Sequence, residues 1–129
     1  MTPPEGTETF DGELALFWFD EHGILCARSK NTPRTLARQK ANYEFIRKIS
    51  GNKKVCLLTD TSSTSPQDRE TRDYVALELP AIFKAMAVIS STAVGKFIAN
   101  QFVHLKDQPI PIRLFGNEDE AREWLKQFL

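Results

Sequence analysis

Little in this sequence invites a covalent or metal-based chemistry. Of 129 residues, two are Cys and two are His. Cys26 and Cys56 lie far apart inside apolar runs, which predicts buried reduced thiols in a cytoplasmic protein, with a bridge between neighbouring strands as the alternative. Together with His22 and His104 they form no zinc spacing, so no metal and no cofactor are expected. There is no G-x-G-x-x-G, P-loop, G-x-S-x-G or H-E-x-x-H pattern, and no nucleophile stands beside a base at a recognisable spacing. No catalytic residue is assigned and the expectation is a non-enzyme. No apolar run approaches the roughly 20 residues of a membrane-spanning helix. The stretch Met1–Asp11 is polar and acidic, without the basic start and apolar core of a secretory signal.

What is present is an ordinary globular composition. Hydrophobic residues make up 41% and charged residues 26%, within a length that suits one domain. A chain of this size buries roughly two thirds of its unfolded surface and needs no staple. Lys+Arg and Asp+Glu both number 17, so the net charge of zero argues against a specific nucleic-acid binder. The distribution is uneven. Residues 1–27 carry six acids and no Lys or Arg, whereas residues 28–54 carry nine bases and one acid. Two solvated faces that attract each other explain this most simply, and a basic face for an anionic partner is the sharper alternative.

Periodicity predicts the elements. Leu14–Phe19 and Ile24–Arg28 read as strands joined by the turn Asp20-Glu21-His22-Gly23. Thr32 and Pro33 look like a helix start, the helix running to about Ile49 with Arg34 and Arg38 facing outward, and Gly51 ending it. Lys54–Asp60 is a nearly continuous apolar run that suits a central strand. After a hydroxyl-rich loop, Ser65 with Asp68 fits a capping box for a second helix, which Pro80 ends or kinks. Ala85–Ile89 is the next strand. Ser91 or Thr92 then caps a third helix reaching about Leu105, with His104 at its C-terminal end. Ile112–Phe115 is a last strand, and Asn117 with Glu120 caps a final helix whose Ala121, Trp124, Leu125 and Phe128 share one face. The order ββαβαβαβα implies an α/β fold with a mixed five-stranded sheet and four helices, over a single domain at 10–129. Residues 1–9 are expected as a flexible tail.

Two regions attract functional readings. The first is the loop at the carboxyl end of the central strand, where ligands of α/β sheets gather. Asp60, Thr61, Ser62, Ser63 and Ser65 lie there, and Arg69 and Arg72 follow on the helix whose N-terminus favours an anion. This loop is a candidate recognition or phosphate-bearing surface, against which stands ordinary capping and solvation. The second is the apolar third helix. With Phe83, its Phe97, Phe102 and Val103 form a candidate interface, as in a homodimer, or the wall of a pocket for a small apolar ligand.

The Gly23-Ile24-Leu25 hairpin, Gly51 ahead of the strand Val55–Asp60, Arg69-Glu70-Thr71-Arg72, Val94-Gly95, Ala99-Asn100-Gln101-Phe102, Pro109–Phe115 and Glu120–Leu125 together give the chain a likeness to known domains. Over residues 10–129 it resembles the STAS domain of anti-sigma-factor antagonists and sulphate-transporter tails. It resembles more closely the bacterial STAS-like proteins grouped with CRAL-TRIO lipid-binding domains. The resemblance implies a regulatory or protein-interaction module with an unknown protein partner, or alternatively a binder of a small apolar or lipid-like ligand. The antagonists' phosphorylatable Asp-Ser-Ser-Gly-like motif is absent at the equivalent helix start, where Asp68-Arg69-Glu70 stands instead.

Overall fold

The computed structural model describes residues 1–103 and 108–129, with Ile98 and residues 101–103 as backbone alone. The expected end of the third helix at His104 and Leu105 lies outside the described residues.

Eleven elements follow one another: β1 (Phe10–Asp11), β2 (Ala15–Phe19), β3 (Leu25–Ser29), α1 (Leu36–Ile49), β4 (Val55–Asp60), α2 (Arg69–Ile82), β5 (Phe83–Ile89), α3 (Ala93–Val103), β6 (Ile112–Phe115), α4 (Glu118–Leu125) and a final 3-10 turn, Lys126–Phe128. The sheet therefore has six strands, not the five expected. The addition is β1, two residues long, which pairs antiparallel with β2 through Phe10↔Phe17 and Asp11↔Leu16. So short a strand leaves no alternation to read, and it exists because an edge strand is there to accept it.

Strand order in the sheet equals chain order. β1, β2 and β3 are antiparallel, as a hairpin requires, and β3 to β6 are parallel, each step crossing through a helix. Successive residues on each strand serve opposite faces. Phe17, Ala27, Leu57 and Val88 pack with Tyr43 and Ile46 of α1, Val75 and Leu79 of α2 and Ala99 of α3. Trp18, Cys26, Leu58, Ala85 and Ala87 pack on Ala121 and Leu125 of α4. Both thiols are buried on this second face and unpaired.

The helix starts differ from expectation in ways that matter below. Thr35, not Thr32, caps α1 by accepting a hydrogen bond from the Arg38 amide at 3.2 Å. Thr32 instead donates to the Glu13 carbonyl at 2.9 Å, which keeps residues 32–34 out of the helix. Asp68, not Ser65, caps α2, accepting from the Thr71 amide at 2.8 Å, and the Thr71 hydroxyl together with that amide holds its carboxyl below the usual range. α2 also runs through Pro80 to Ile82. Thr92 and Asn117 cap α3 and α4 as expected. Gly95, in the first turn of α3, is a steric requirement. A Cβ there would stand 2.5 Å from the Thr61 carbonyl oxygen and 2.2 Å from the Ser90 hydroxyl.

The uneven charge is internally matched in part. Lys30 pairs with Asp11 and Arg38 with Glu13, joining the basic segment to the acidic one. Residues 1–9, expected as a flexible tail, form no helix or strand, but Met1 returns to the sheet. Its ammonium lies 3.2 Å from Asp60, and its side chain packs on the α4 face. Among the described residues no helix is long and apolar enough to cross a membrane, and no group of three or more potential ligands is placed to hold a metal.

Candidate functional site

Toward the carboxyl ends of the central strands, the α1–α2 side of the sheet is incompletely filled. Ala15, Ala27 and Ser29 are small, and the side chains above them leave a cavity of about 90 Å³. Phe17, Leu57, Phe83, Met86 and Val88 form its apolar floor and walls. Tyr43 closes one side, with its ring edge-on to Phe83 at 6.3 Å and stacked on Tyr74 at 5.9 Å. Burial pushes the Tyr43 phenol up and keeps it neutral.

The other end is polar. Arg34, Gln39, Asn42 and Gln67 line it with Thr59, Thr61, Thr64 and Ser65. Because residues 32–34 lie ahead of the first helical turn, Arg34 turns inward instead of joining the solvated face of α1. Its guanidinium donates to Gln39 Oε1 at 3.3 Å and to Ser29 Oγ at 3.4 Å, both long bonds. Gln67 Nε2 donates to the same Gln39 oxygen at 3.2 Å. Ser65 Oγ donates to the Thr32 carbonyl at 2.8 Å, joining the loop before α1 to the loop before α2 at the polar end.

Three buried atoms of this polar end have no hydrogen-bond partner among the described residues: Arg34 Nε, Asn42 Oδ1 and Gln67 Oε1. No carboxylate among the described residues lies within ion-pair distance of Arg34. Burial pulls the pKa of Arg34 down from its ordinary value, though a guanidinium stays charged even so. Arg34 is part-buried, and a charge held there without an ion partner costs more than one in full solvent.

The loop expected to carry recognition divides between the two faces, as strand alternation dictates. Thr61 and Ser65 reach the cavity. Asp60 points away, to the Met1 ammonium and the Ser62 hydroxyl, which donates to it at 2.6 Å. Burial alone would raise the Asp60 pKa, but the Ser62 bonds and the ammonium outweigh it and hold it below the ordinary value. Ser62 in turn accepts from the Ser91 amide at 2.8 Å, tying the loop to the start of α3. Ser63, Arg69 and Arg72 are exposed, and Arg69 lies 3.9 Å from Asp73. None of these three lines the cavity.

The expected apolar wall divides as well. Phe83 lines the cavity and is buried. Phe97 is 66% exposed and Val94 62% exposed, so they face away from it. The side chains of Phe102 and Val103 lie outside the described residues. α3 contributes Ala99 to the lining. Arg34, Gln39, Asn42 and Gln67 carry the polar end; sequence patterning puts Asn42 on the inner face with Ile46 and Ile49, reads Arg34 as outward, and passes over Gln39 and Gln67. The available signal is Gln39 and Asn42 at i, i+3, which puts two amides on the inner stripe of α1.

Comparisons with known proteins agree with this architecture. The model of a domain of unknown function, DUF7793, matches residues 17–129. A crystal structure from Shewanella loihica PV-4, an uncharacterized protein of the DUF3478 family described as having a SpoIIAA-like fold, superposes with a TM-score of 0.57 at 13% identity, covering 97% of this chain and 98% of that one. At that identity the likeness concerns the fold alone. The mixed sheet with four helices is thus a SpoIIAA-like, that is STAS-like, fold. No curated protein sequence matches.

Proposed function

The chain belongs to the DUF7793 family, and from that premise we propose that it is a non-catalytic binding domain that holds a small amphiphilic molecule between its sheet and α1. The observation that carries this reading is the cavity itself: about 90 Å³, apolar at one end and polar at the other, at the carboxyl ends of parallel strands. Its size decides what kind of ligand. An apolar cavity of about 150 Å³ accommodates benzene, so roughly 90 Å³ holds a group of about three or four carbons. A long acyl chain of the CRAL-TRIO kind does not fit this volume; a short one does.

The test is to titrate probes of four non-hydrogen atoms, acetate and 1,2-ethanediol, into labelled protein and follow backbone amides. Amides of β3, β4 and α1 that border the cavity should shift in wild type. They should stay still in Ala27→Leu, which fills the space. Equal shifts in both, or none in either, would refute the reading.

A second reading, a protein-interaction module, draws support from the exposed Val94 and Phe97 on α3. The occupant proposed there is a second copy of the chain. Sedimentation should then show a concentration-dependent dimer that Phe97→Asp abolishes, and a monomer at all concentrations would reject it.

A further inference from the structure

We infer that the amino-terminal edge of the parallel strands is a docking surface for a short acidic segment of a protein partner, held by Lys48, Lys53, Lys54 and Lys84. The bases of residues 28–54 divide into two groups. Lys30, Arg38 and Arg47 have carboxylate partners in Asp11, Glu13 and Glu78. Arg28 donates to the Met1 carbonyl, and Lys40 stands over the Tyr74 ring. Lys48, Lys53 and Lys54 are exposed and have no ion pair among the described residues, and the same holds for Lys84.

The backbone brings these four to one end of the sheet. α1 runs against the direction of β4, so its last turn, with Lys48, ends beside the start of that strand. Gly51 and Asn52 both take positive φ, 64° and 62°, and the Asn52 amide donates to the Arg47 carbonyl at 2.8 Å. This tight reversal leaves Lys53 and Lys54 immediately ahead of Val55. Val55 pairs with Phe83 but Cys56 with Ala85, so Lys84 is an extra residue at a bulge and turns to solvent between two buried neighbours. The negative end of the α1 dipole accounts for Lys48, but not for lysines in a turn and on a strand. At the opposite end of the sheet, Arg69 and Arg72 stand among Asp68, Glu70 and Asp73, and no such surplus builds up. Charge complementarity calls for an anion at the lysines, and the surroundings limit its extent. Glu44 lies one turn back on α1 and Glu21 in the turn ahead of β3, both exposed. A DNA duplex or a bilayer presents charge well past four lysines and would press it on these acids. A short run of Asp and Glu covers the lysines alone.

The experiment titrates labelled protein with hexaglutamate, with a short DNA duplex, and with vesicles of phosphatidylserine in phosphatidylcholine. Hexaglutamate should shift the amides of residues 48–54 and 83–85, and its affinity should fall about fivefold or more between about 50 and 200 mM salt. The double variant Lys53→Glu, Lys54→Glu should weaken it about tenfold or more, and Lys84→Glu should weaken it as well, because the surface is built from both segments. These positions are exposed, so melting temperatures should stay near wild type and report that the variants fold. Arg69→Glu should leave the affinity unchanged. An ineffective Lys84→Glu, or shifts that centre on Arg69 and Arg72, would overturn the surface. Tighter binding of the duplex or the vesicles would overturn the class of partner. Binding of no probe would overturn the inference entirely, and none of these outcomes bears on the cavity.

Discussion

Two arginines, one on each face of the sheet, meet opposite fates. Arg122 on α4 places Nε 2.9 Å from Asp20 and Nη2 3.3 Å from Glu118, and also donates toward the Cys26 sulfur at 3.8 Å. Burial alone would lower its pKa, but these partners raise it overall. Arg34 on the other face has only two long bonds to neutral oxygens, an unpaired Nε, and a pKa that burial lowers. The packing around them differs in the same sense. The α4 face is filled by Trp18, Leu58, Ala85 and Ala87 against Ala121 and Leu125, whereas the α1–α2 face holds a cavity. One face is a finished core with an internally neutralised charge. The other keeps three polar atoms at its cavity without partners among the described residues, and we propose that a ligand supplies them. A marginally stable fold keeps such groups at a cost in stability.

The largest expected effect is on the finished face. Arg122→Met should cost about 3 kcal/mol in chemical denaturation, because it leaves the Asp20 and Glu118 carboxylates without their cation. Truncating Asp20 to Asn in the same background should add less than it does alone, since the two residues are coupled. Next come paired alanine substitutions. Ala87→Leu overfills the α4 face and should cost about 2 kcal/mol, whereas Ala27→Leu enters the cavity and should change stability by less than about 1 kcal/mol. Equal costs would mean that the two faces are packed alike.

A smaller effect concerns acid. Asp60 has a folded pKa below its ordinary value of 3.8. The unfolded chain therefore binds the proton first as pH falls, and the stability Asp60 supplies, present above its unfolded pKa, is lost as pH drops through the folded one. Melting temperature measured below about pH 5 should fall more steeply in wild type than in Asp60→Asn; parallel curves would contradict this. At the alkaline end the Cys26 thiol, pushed up to about 11 by burial from 9.0, reverses the sign. Its contribution is intact below the unfolded value and fades as pH rises toward the folded one.

The fold was largely legible because its signals are long or repeated. Lys54–Asp60 and Ala85–Ile89 are nearly continuous apolar runs that suit buried strands, the second of which begins two residues earlier at Phe83, and Ala121 with Leu125 repeat at helical spacing. β1 was not legible, because two residues carry no period. The site was legible only in its location, at the end of β4. Asp60 and Thr61 are neighbours in sequence but serve opposite faces, so a loop read as one patch becomes two. Arg34 was hidden by a local competition. Thr32-Pro33 is a plausible helix start, and Thr35 takes the cap because Thr32 bonds to Glu13, 19 residues away in the chain. A cap offset of three residues turns an outward helix position into an inward one, and no local pattern records the long-range bond that sets it.

The most direct test of the contrast between the faces is the unfolding free energy of Arg34→Met, measured without added ligand beside wild type. An arginine that lacks its counter-ion can be replaced by an apolar side chain of similar length without loss, so the variant is predicted to match or exceed wild-type stability. A loss of about 2 kcal/mol or more would show that Arg34 already has its full complement of partners within the fold, and would contradict the account.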